Sequence, residues 1–380
     1  MRFDIFCHVV DNYGDVGVCW RLVKRLAQTH FTSSDHFTSP DKDHFRLFCD
    51  YPELVEKVAG DDGLREILSL GVELLPWNSA DQSITEDIYP DIVIETFSCE
   101  LPAVYSGKLK SFSKALIINL EYLSAETWTI SAHGLPSPPS QSDDLLRYFY
   151  YPGFTPESGG LLQGKLPSTD ENNTFIPRSL DQIWRKLRPS SEAKRVSIFT
   201  YGGEKLTQLL NQMLRSNQPL DLLVCGENAL KTCQVWLEEE FSEPVSRNFL
   251  QLIPMPFIPQ DDFDWLLHAC DLNFVRGEDS FVRAQWAGKP FVWDIYPQED
   301  DAHHIKLDAF LGMYLQNALP SGKKAAYAAM HWEEFADWWQ ALHPMTQHAV
   351  MWRQELMKSQ IKGDLAIRLR DFILEKLKKG

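Results

Sequence analysis

Short runs rich in Ile, Val and Leu recur along this chain, each followed by a stretch with apolar residues at helical spacing. The series breaks once, near residues 131–176, and then starts again. Strand candidates before the break lie at 2–10, 46–49, 72–77, 91–97 and 115–120. After it they lie at 196–203, 221–226, 250–259, 272–276 and 290–297. Apolar strands alternating with helices are the pattern of a parallel sheet covered on both faces. The expected fold is therefore α/β, with two Rossmann-like halves that share no residue-level repeat. The interruption carries SAHGLPSPPSQSDD, YPGFTPESGG and LPSTDENNTF. That density of Pro, Ser, Gly and Asn reads as loop or linker around one or two short strands. The segment 31–45, rich in Ser, Thr, Asp and His, reads as a surface loop. Domains are expected at 1–185 and 190–360. The helical C-terminal part, with Trp332, Trp338, Trp339 and Trp352, would cap the second half, and a last helix at about 360–380 would pack back on the first.

Composition narrows the function. At about 150 residues per domain, 380 residues make roughly two domains. The formal net charge is −16, and a surface this acidic repels phosphate backbones. A general nucleic-acid binder and an anionic-membrane binder are thereby excluded. Any anionic ligand must be held locally, by backbone amides and a few chosen cations. The seven cysteines are scattered, odd in number and without CxxC, which reads as free thiols in a reducing cytoplasm. The start of the chain does not resemble a signal peptide, and no apolar run is long enough to span a membrane.

The most informative segment is LNFVRGEDSFVRAQWAGKPFVWDIYP at 272–297. A strand delivers a turn at Arg276, Gly277, Glu278, Asp279 and Ser280, and a helix follows that stops at Gly288. Asp279 or Ser280 is expected as its N-cap. Free amides at that helix start, with the positive end of its dipole, make an anion site, and Arg276 adds a bidentate fork for phosphate. The shape resembles the donor motif of GT-B glycosyltransferases. One departure is that Arg283-Ala284-Gln285 stands where many of those enzymes place an acid to grip the ribose. By spacing alone, the segment is equally a well-capped helix.

A second constellation is Asp11-Asn12-Tyr13-Gly14-Asp15-Val16-Gly17 after the first strand. Two carboxylates at the carboxyl end of a parallel strand can orient and deprotonate an acceptor, and Gly14 and Gly17 would allow close backbone approach. In isolation the run also reads as a capping Asp and a turn. A third set is Phe199, Tyr201, Gly202 and Gly203 with Phe257 and Gln260, aromatic faces for a base and an amide for its polar edge, or ordinary core aromatics. Asp262-Phe263-Asp264 spells D-x-D but reads as an acidic helix start. His303 and His304 also read as a helix start, since adjacent helical residues diverge and do not converge on one ion. No metal site is expected.

Taken together, DNYGDVGVCWRL, IFTYGG and DLNFVRGEDSFVRAQWAGKPFVWDIYPQEDDAHH resemble the elongation factor P arginine rhamnosyltransferase family, EarP, over nearly the whole chain. The resemblance implies a GT-B fold, two Rossmann-like domains facing across a cleft. It implies transfer of L-rhamnose from dTDP-β-L-rhamnose to an arginine of elongation factor P, with inversion, in support of translation through polyproline stretches. It also implies no cofactor beyond the donor substrate. Asp15 then matches the general base, Asp11 the acid that positions the acceptor, and Glu278 a further catalytic acid. Asn12, Tyr13 and Gly14 belong to the acceptor loop. Arg276, Gly277, Asp279 and Ser280 would surround the diphosphate, and Phe199, Tyr201, Phe257 and Gln260 the thymidine. Two alternatives stand beside this: a GT-B transferase with a small-molecule acceptor, and a non-catalytic sugar-nucleotide sensor that binds a translation factor. Paired acids at Asp11 and Asp15 count against the sensor.

Overall fold

A computed structural model describes residues 1–10, 13–29, 43–112, 114–137, 145–164, 176–189, 191–240, 249–297 and 302–379. The chain divides into two compact units, Met1–Gly164 with Lys358–Gly380, and Lys165–Met357.

The first unit runs β1 (Arg2–Cys7), α1 (Tyr13–Gln28), β2 (His44–Cys49), α2 (Pro52–Leu70) and β3 (Val72–Pro76). After a 3-10 turn at Trp77–Gln82 come β4 (Ile92–Thr96), α3 (Ala103–Phe112), β5 (Leu116–Leu120), α4 (Thr127–Ala132), β6 (Pro136–Ser137) and β7 (Arg147–Tyr150). Among the described residues these strands form a seven-stranded sheet in the order β3-β2-β1-β4-β5-β7-β6, parallel except for the short β6. The apolar stripe of α1, with Val16, Cys19, Leu22, Val23 and Leu26, is buried with Ile5, Leu47 and Ile94 of the strands. Burial of each such side chain stabilises by about 1.5–3 kcal/mol.

Charged residues also lie inside this sheet. Asp4 and Arg46 stand opposite each other in the β1–β2 register, joined by two bonds of 2.6 Å, with the Tyr105 hydroxyl donating to the same carboxylate at 2.5 Å. Arg147 grips Glu95 in the same bidentate way, at 2.6 and 2.9 Å.

The second unit runs α5 (Arg178–Trp184), β8 (Lys194–Phe199), α6 (Glu204–Arg215), β9 (Leu220–Cys225), α7 (Glu227–Glu240), β10 (Leu250–Pro254), α8 (Gln260–Ala269), β11 (Leu272–Arg276), α9 (Glu278–Ala287) and β12 (Phe291–Asp294). The helices α10 (Ala302–Tyr314), α11 (Pro320–Met330), α12 (Phe335–Trp339) and α13 (Leu342–Ser359) follow. Among the described residues its five strands are all parallel, in the order β10-β9-β8-β11-β12.

The first boundary falls near residue 164, not 185. Leu180 of α5 is buried with Leu223, Ile253 and Leu266, and Arg188 Nε donates to Asp221 at 2.7 Å, so this segment groups with the second sheet. The last helix, α14 (Leu365–Lys379), belongs to the first unit. Its Leu365, Ala366, Leu369 and Ile373 join the core beneath α1, and Asp364 pairs with Arg25 at 2.7 Å. Arg368 donates to the carbonyls of Thr155 and Ser158, both at 3.0 Å. All seven cysteines are free, and only Cys99 is less than buried. Among the described residues no helix is long and apolar enough to cross a membrane.

Candidate active site

In an open parallel sheet, ligands bind outside the carboxyl ends of the strands where the strand order reverses. In the first sheet the chain moves outward from β1 to β3 and returns to β4, so the reversal lies between β1 and β4. In the second it lies between β8 and β11. The motifs singled out in the sequence follow β1, β8 and β11, with Phe257 and Gln260 after β10.

In the first unit, β1 stops at Cys7, short of the expected residue 10, because its next backbone donors turn away from the ladder. Val9 N–H donates to Asp50 at 3.1 Å and Val10 N–H to Asp15 Oδ2 at 2.8 Å. The segment expected as a glycine loop is helical from Tyr13 onward, so Gly14 and Gly17 lie in α1. An acid in a first helical turn is favoured by the dipole, and here it is Asp15, 3% exposed. The Tyr122 hydroxyl lies 3.5 Å from its Oδ1. Lys57 Nζ donates to the Tyr13 hydroxyl at 2.8 Å. Asp11 and Asn12 lie outside the described residues.

Sequence reasoning missed the loops after β4 and β5. Phe97 and Ser98 both have φ of 56°. Left-handed conformation is rare for a bulky residue and costs about 1–3 kcal/mol at each position. The loop is held by Phe97 N–H donating to the Leu120 carbonyl at 2.7 Å and by Ser98 Oγ donating to Glu121 at 3.0 Å. The result is a Phe97 ring stacked under Tyr122, centroids 4.4 Å apart and 16° from parallel. Glu121 also accepts from Asn119 Nδ2 at 2.8 Å, and burial pushes its carboxyl above the ordinary value against those two bonds.

In the second unit, both helices at the reversal start on a glycine that only glycine tolerates. Gly203 (φ 77°, ψ −161°) caps α6 and Gly277 (φ 64°, ψ −177°) caps α9. The expected caps Asp279 and Ser280 are instead inside α9. There the Ser280 hydroxyl bonds back to the Arg276 carbonyl, and Asp279 accepts from Gln260 Nε2 at 2.6 Å. Glu278 is the first residue of α9. The Arg276 guanidinium lies over both Phe199 and Tyr201, at 4.8 and 4.6 Å from their centroids. Asp294, at the end of β12, accepts the Tyr201 N–H at 2.8 Å, and Tyr296 meets the Tyr201 ring edge-on at 5.3 Å. Phe257 precedes α8 and is 46% exposed. The sequence VWDIYP carried these two extra residues, but only the parallel β11–β12 register brings them beside β8.

The weaker motifs resolve into structure. Asp264 of the D-x-D spelling is 3% exposed and gripped by Arg283, 1% exposed, at 2.7 and 3.0 Å. The neighbouring Gln285 accepts from Trp352 Nε1 at 2.8 Å. Arg283 and Gln285, at the place of the absent ribose acid, therefore face into the unit's own core. Asp262 accepts from Ser179 at 2.6 Å. His303 and His304 open α10, while residues 299–301 lie outside the described set.

A sequence model described as Elongation-Factor P (EF-P) rhamnosyltransferase EarP matches residues 3–374. A protein-arginine rhamnosyltransferase of Pseudomonas aeruginosa is 36% identical over 97% of this chain and 98% of its own length. The namesake of Shewanella oneidensis is 34% identical over 98% and 97%. Among solved structures, one on EarP-mediated arginine glycosylation of translation elongation factor EF-P aligns with a TM-score of 0.60 at 27% identity, covering 98% of this chain and 99% of that one. The MurG of Acinetobacter baumannii aligns at 0.51 and 12% identity over 98% and 99%, a likeness of fold alone. With its two parallel sheets, the fold is GT-B. Matched along nearly its whole length, the chain belongs to the EarP family of elongation factor P rhamnosyltransferases.

Proposed function

We propose that this enzyme moves L-rhamnose from dTDP-β-L-rhamnose to one arginine of elongation factor P in the cytoplasm, with inversion and without a metal ion. The observation that carries the chemistry is the Asp15 carboxylate, buried at the carboxyl end of β1 with one oxygen fixed by the Val10 N–H. A guanidinium is always protonated in proteins and its lone pairs are delocalised. Asp15 therefore does not deprotonate it beforehand. With Asp11, it binds the N–H groups, localises charge away from the attacking nitrogen, and accepts one proton as the N–C1 bond forms. The bond from C1 to the diphosphate oxygen breaks on the opposite face, which converts the β-anomer to α-rhamnosyl arginine. Glu278 is the further acid at the start of α9.

The leaving dTDP gains negative charge. The amides at the start of α9 and the Arg276 fork stabilise it, with Gly277, Asp279 and Ser280 around the diphosphate. Arg276 starts from a position over Phe199 and Tyr201. When the thymine takes those faces, Arg276 is displaced toward the phosphates, and Phe257 and Gln260 close on the nucleoside. Asp264 is already neutralised by Arg283, which supports a role for the D-x-D acid in folding and not in metal binding.

The test is Asp15→Asn. Transfer to elongation factor P, read by mass shift, should fall at least about 10²-fold, the scale of general-base removal, while dTDP affinity is kept. Near-normal turnover removes Asp15 from the base role.

A further inference from the structure

We propose that Tyr122 is the platform that receives the acceptor guanidinium beside Asp15 and so makes the enzyme prefer arginine over lysine. This rests on the arginine-acceptor reading above. Three observations carry it. First, the ring is held in place from below: Phe97 stacks on it at 4.4 Å, and Phe97 reaches that position only through two successive non-glycine residues in left-handed conformation. Such strain persists where the surrounding structure over-determines it, and it clusters at functional sites. Ties to Leu120 and Glu121 lock the loop.

Second, the ring is not spent on the core, since Tyr122 is 40% exposed while its neighbours Leu120 and Leu123 are buried. Third, its hydroxyl lies 3.5 Å from Asp15 Oδ1, a distance that tightens only modestly into a hydrogen bond. A flat cation on the ring is thus beside the carboxylate that must take its proton. A guanidinium is planar, weakly hydrated and stacks on aromatic faces. An ammonium is compact and strongly hydrated, and gains less from the same surface. The half-buried Glu121 on the same loop adds negative potential for either cation.

The experiment uses the full-length enzyme with elongation factor P, and with elongation factor P whose acceptor arginine is replaced by lysine. Affinities are measured by calorimetry. Wild type should prefer the arginine form. Tyr122→Leu should weaken binding of the arginine form by about five- to thirty-fold, the range for a cation on a partly desolvated ring, and leave the lysine form nearly unchanged. Tyr122→Phe, which keeps the ring, should retain the preference. An unchanged thermal melt and circular dichroism spectrum show that each variant is folded, since Tyr122 lies in the first unit and dTDP reports on the second. If Tyr122→Leu fails that control, Tyr122→His takes its place and should lose part of the preference. A folded Tyr122→Leu or Tyr122→His enzyme with the full arginine preference overturns the platform. A wild-type enzyme with no arginine preference instead sinks the arginine-acceptor reading itself.

Discussion

Asp264→Ala separates a structural from a metal-binding role for the D-x-D acid. In the wild type, Arg283 meets both oxygens of Asp264 at 2.7 and 3.0 Å, and both side chains are almost fully buried. Removing the carboxylate leaves a guanidinium in the core of the second unit with its charge uncompensated. One-sided loss of a buried pair costs about 3–5 kcal/mol. For a unit of about 190 residues, each kcal/mol moves the thermal midpoint about 2–4 °C, so the midpoint should fall by roughly 6–20 °C. Replacing both partners, as in Asp264→Leu with Arg283→Met, should recover most of the loss, because much of a buried pair's attraction only offsets its own desolvation. Melting followed by calorimetry or circular dichroism reads this directly. Assayed below its melting point, Asp264→Ala should still transfer sugar. An unchanged midpoint, with transfer abolished in the variant and dependent on added Mn²⁺ in the wild type, would instead assign Asp264 to a metal site.

Other outcomes follow from the same geometry. Tyr201→Ala should weaken dTDP binding by about 1–3 kcal/mol, the range for one base–aromatic stack, whereas Asp11→Ala should leave it unchanged and reduce transfer; calorimetry that gives the opposite pattern reverses the division of labour between the units. Gly277→Ala forces a side chain into a backbone region reserved for glycine and costs about 1–3 kcal/mol; the displaced Arg276 and Glu278 should lower dTDP affinity, and unaltered affinity removes the α9 start from the donor site. His133 accepts the Tyr151 N–H at 3.1 Å and packs on Tyr150 and Phe372 of α14, and burial pulls its pKa down to about 4. The unfolded chain takes that proton near pH 6.5 and the native chain does not, so this contribution to stability is full above pH 6.5 and is lost as pH falls toward 4. Denaturation across that window should show His133→Gln with a flatter acid limb; an equal slope would leave His133 out of the acid response.

Local signals in the sequence carried much of the fold. The apolar runs gave the strands, and Gly288 does end its helix in left-handed conformation (φ 64°). What the sequence hid was created by register. Asp4 and Arg46 are 42 positions apart, and Glu95 and Arg147 are 52 apart. Such charges read as breaks in apolar strands until parallel pairing sets Asp4 beside Arg46 and places Glu95 of β4 and Arg147 of β7 on either side of β5. The D-x-D acid was ambiguous for the same reason, since its partner Arg283 is on the next helix. Asp15 and the turn at 276–280 were legible because their residue types are unusual after a strand. The Phe97–Tyr122 stack was not, because nothing in the residue string FSCE announces two left-handed residues. The start of α9 was misplaced by two to three residues because Gly277, and not a polar side chain, caps it.

The decisive measurement of the proposed transfer is incubation of the enzyme with elongation factor P and dTDP-β-L-rhamnose in EDTA, followed by peptide mass spectrometry and NMR of the product. The expected product carries one added deoxyhexose, on one arginine, in the α configuration. A product with no added sugar, sugar on another residue type, or a retained β linkage would contradict the proposed transfer.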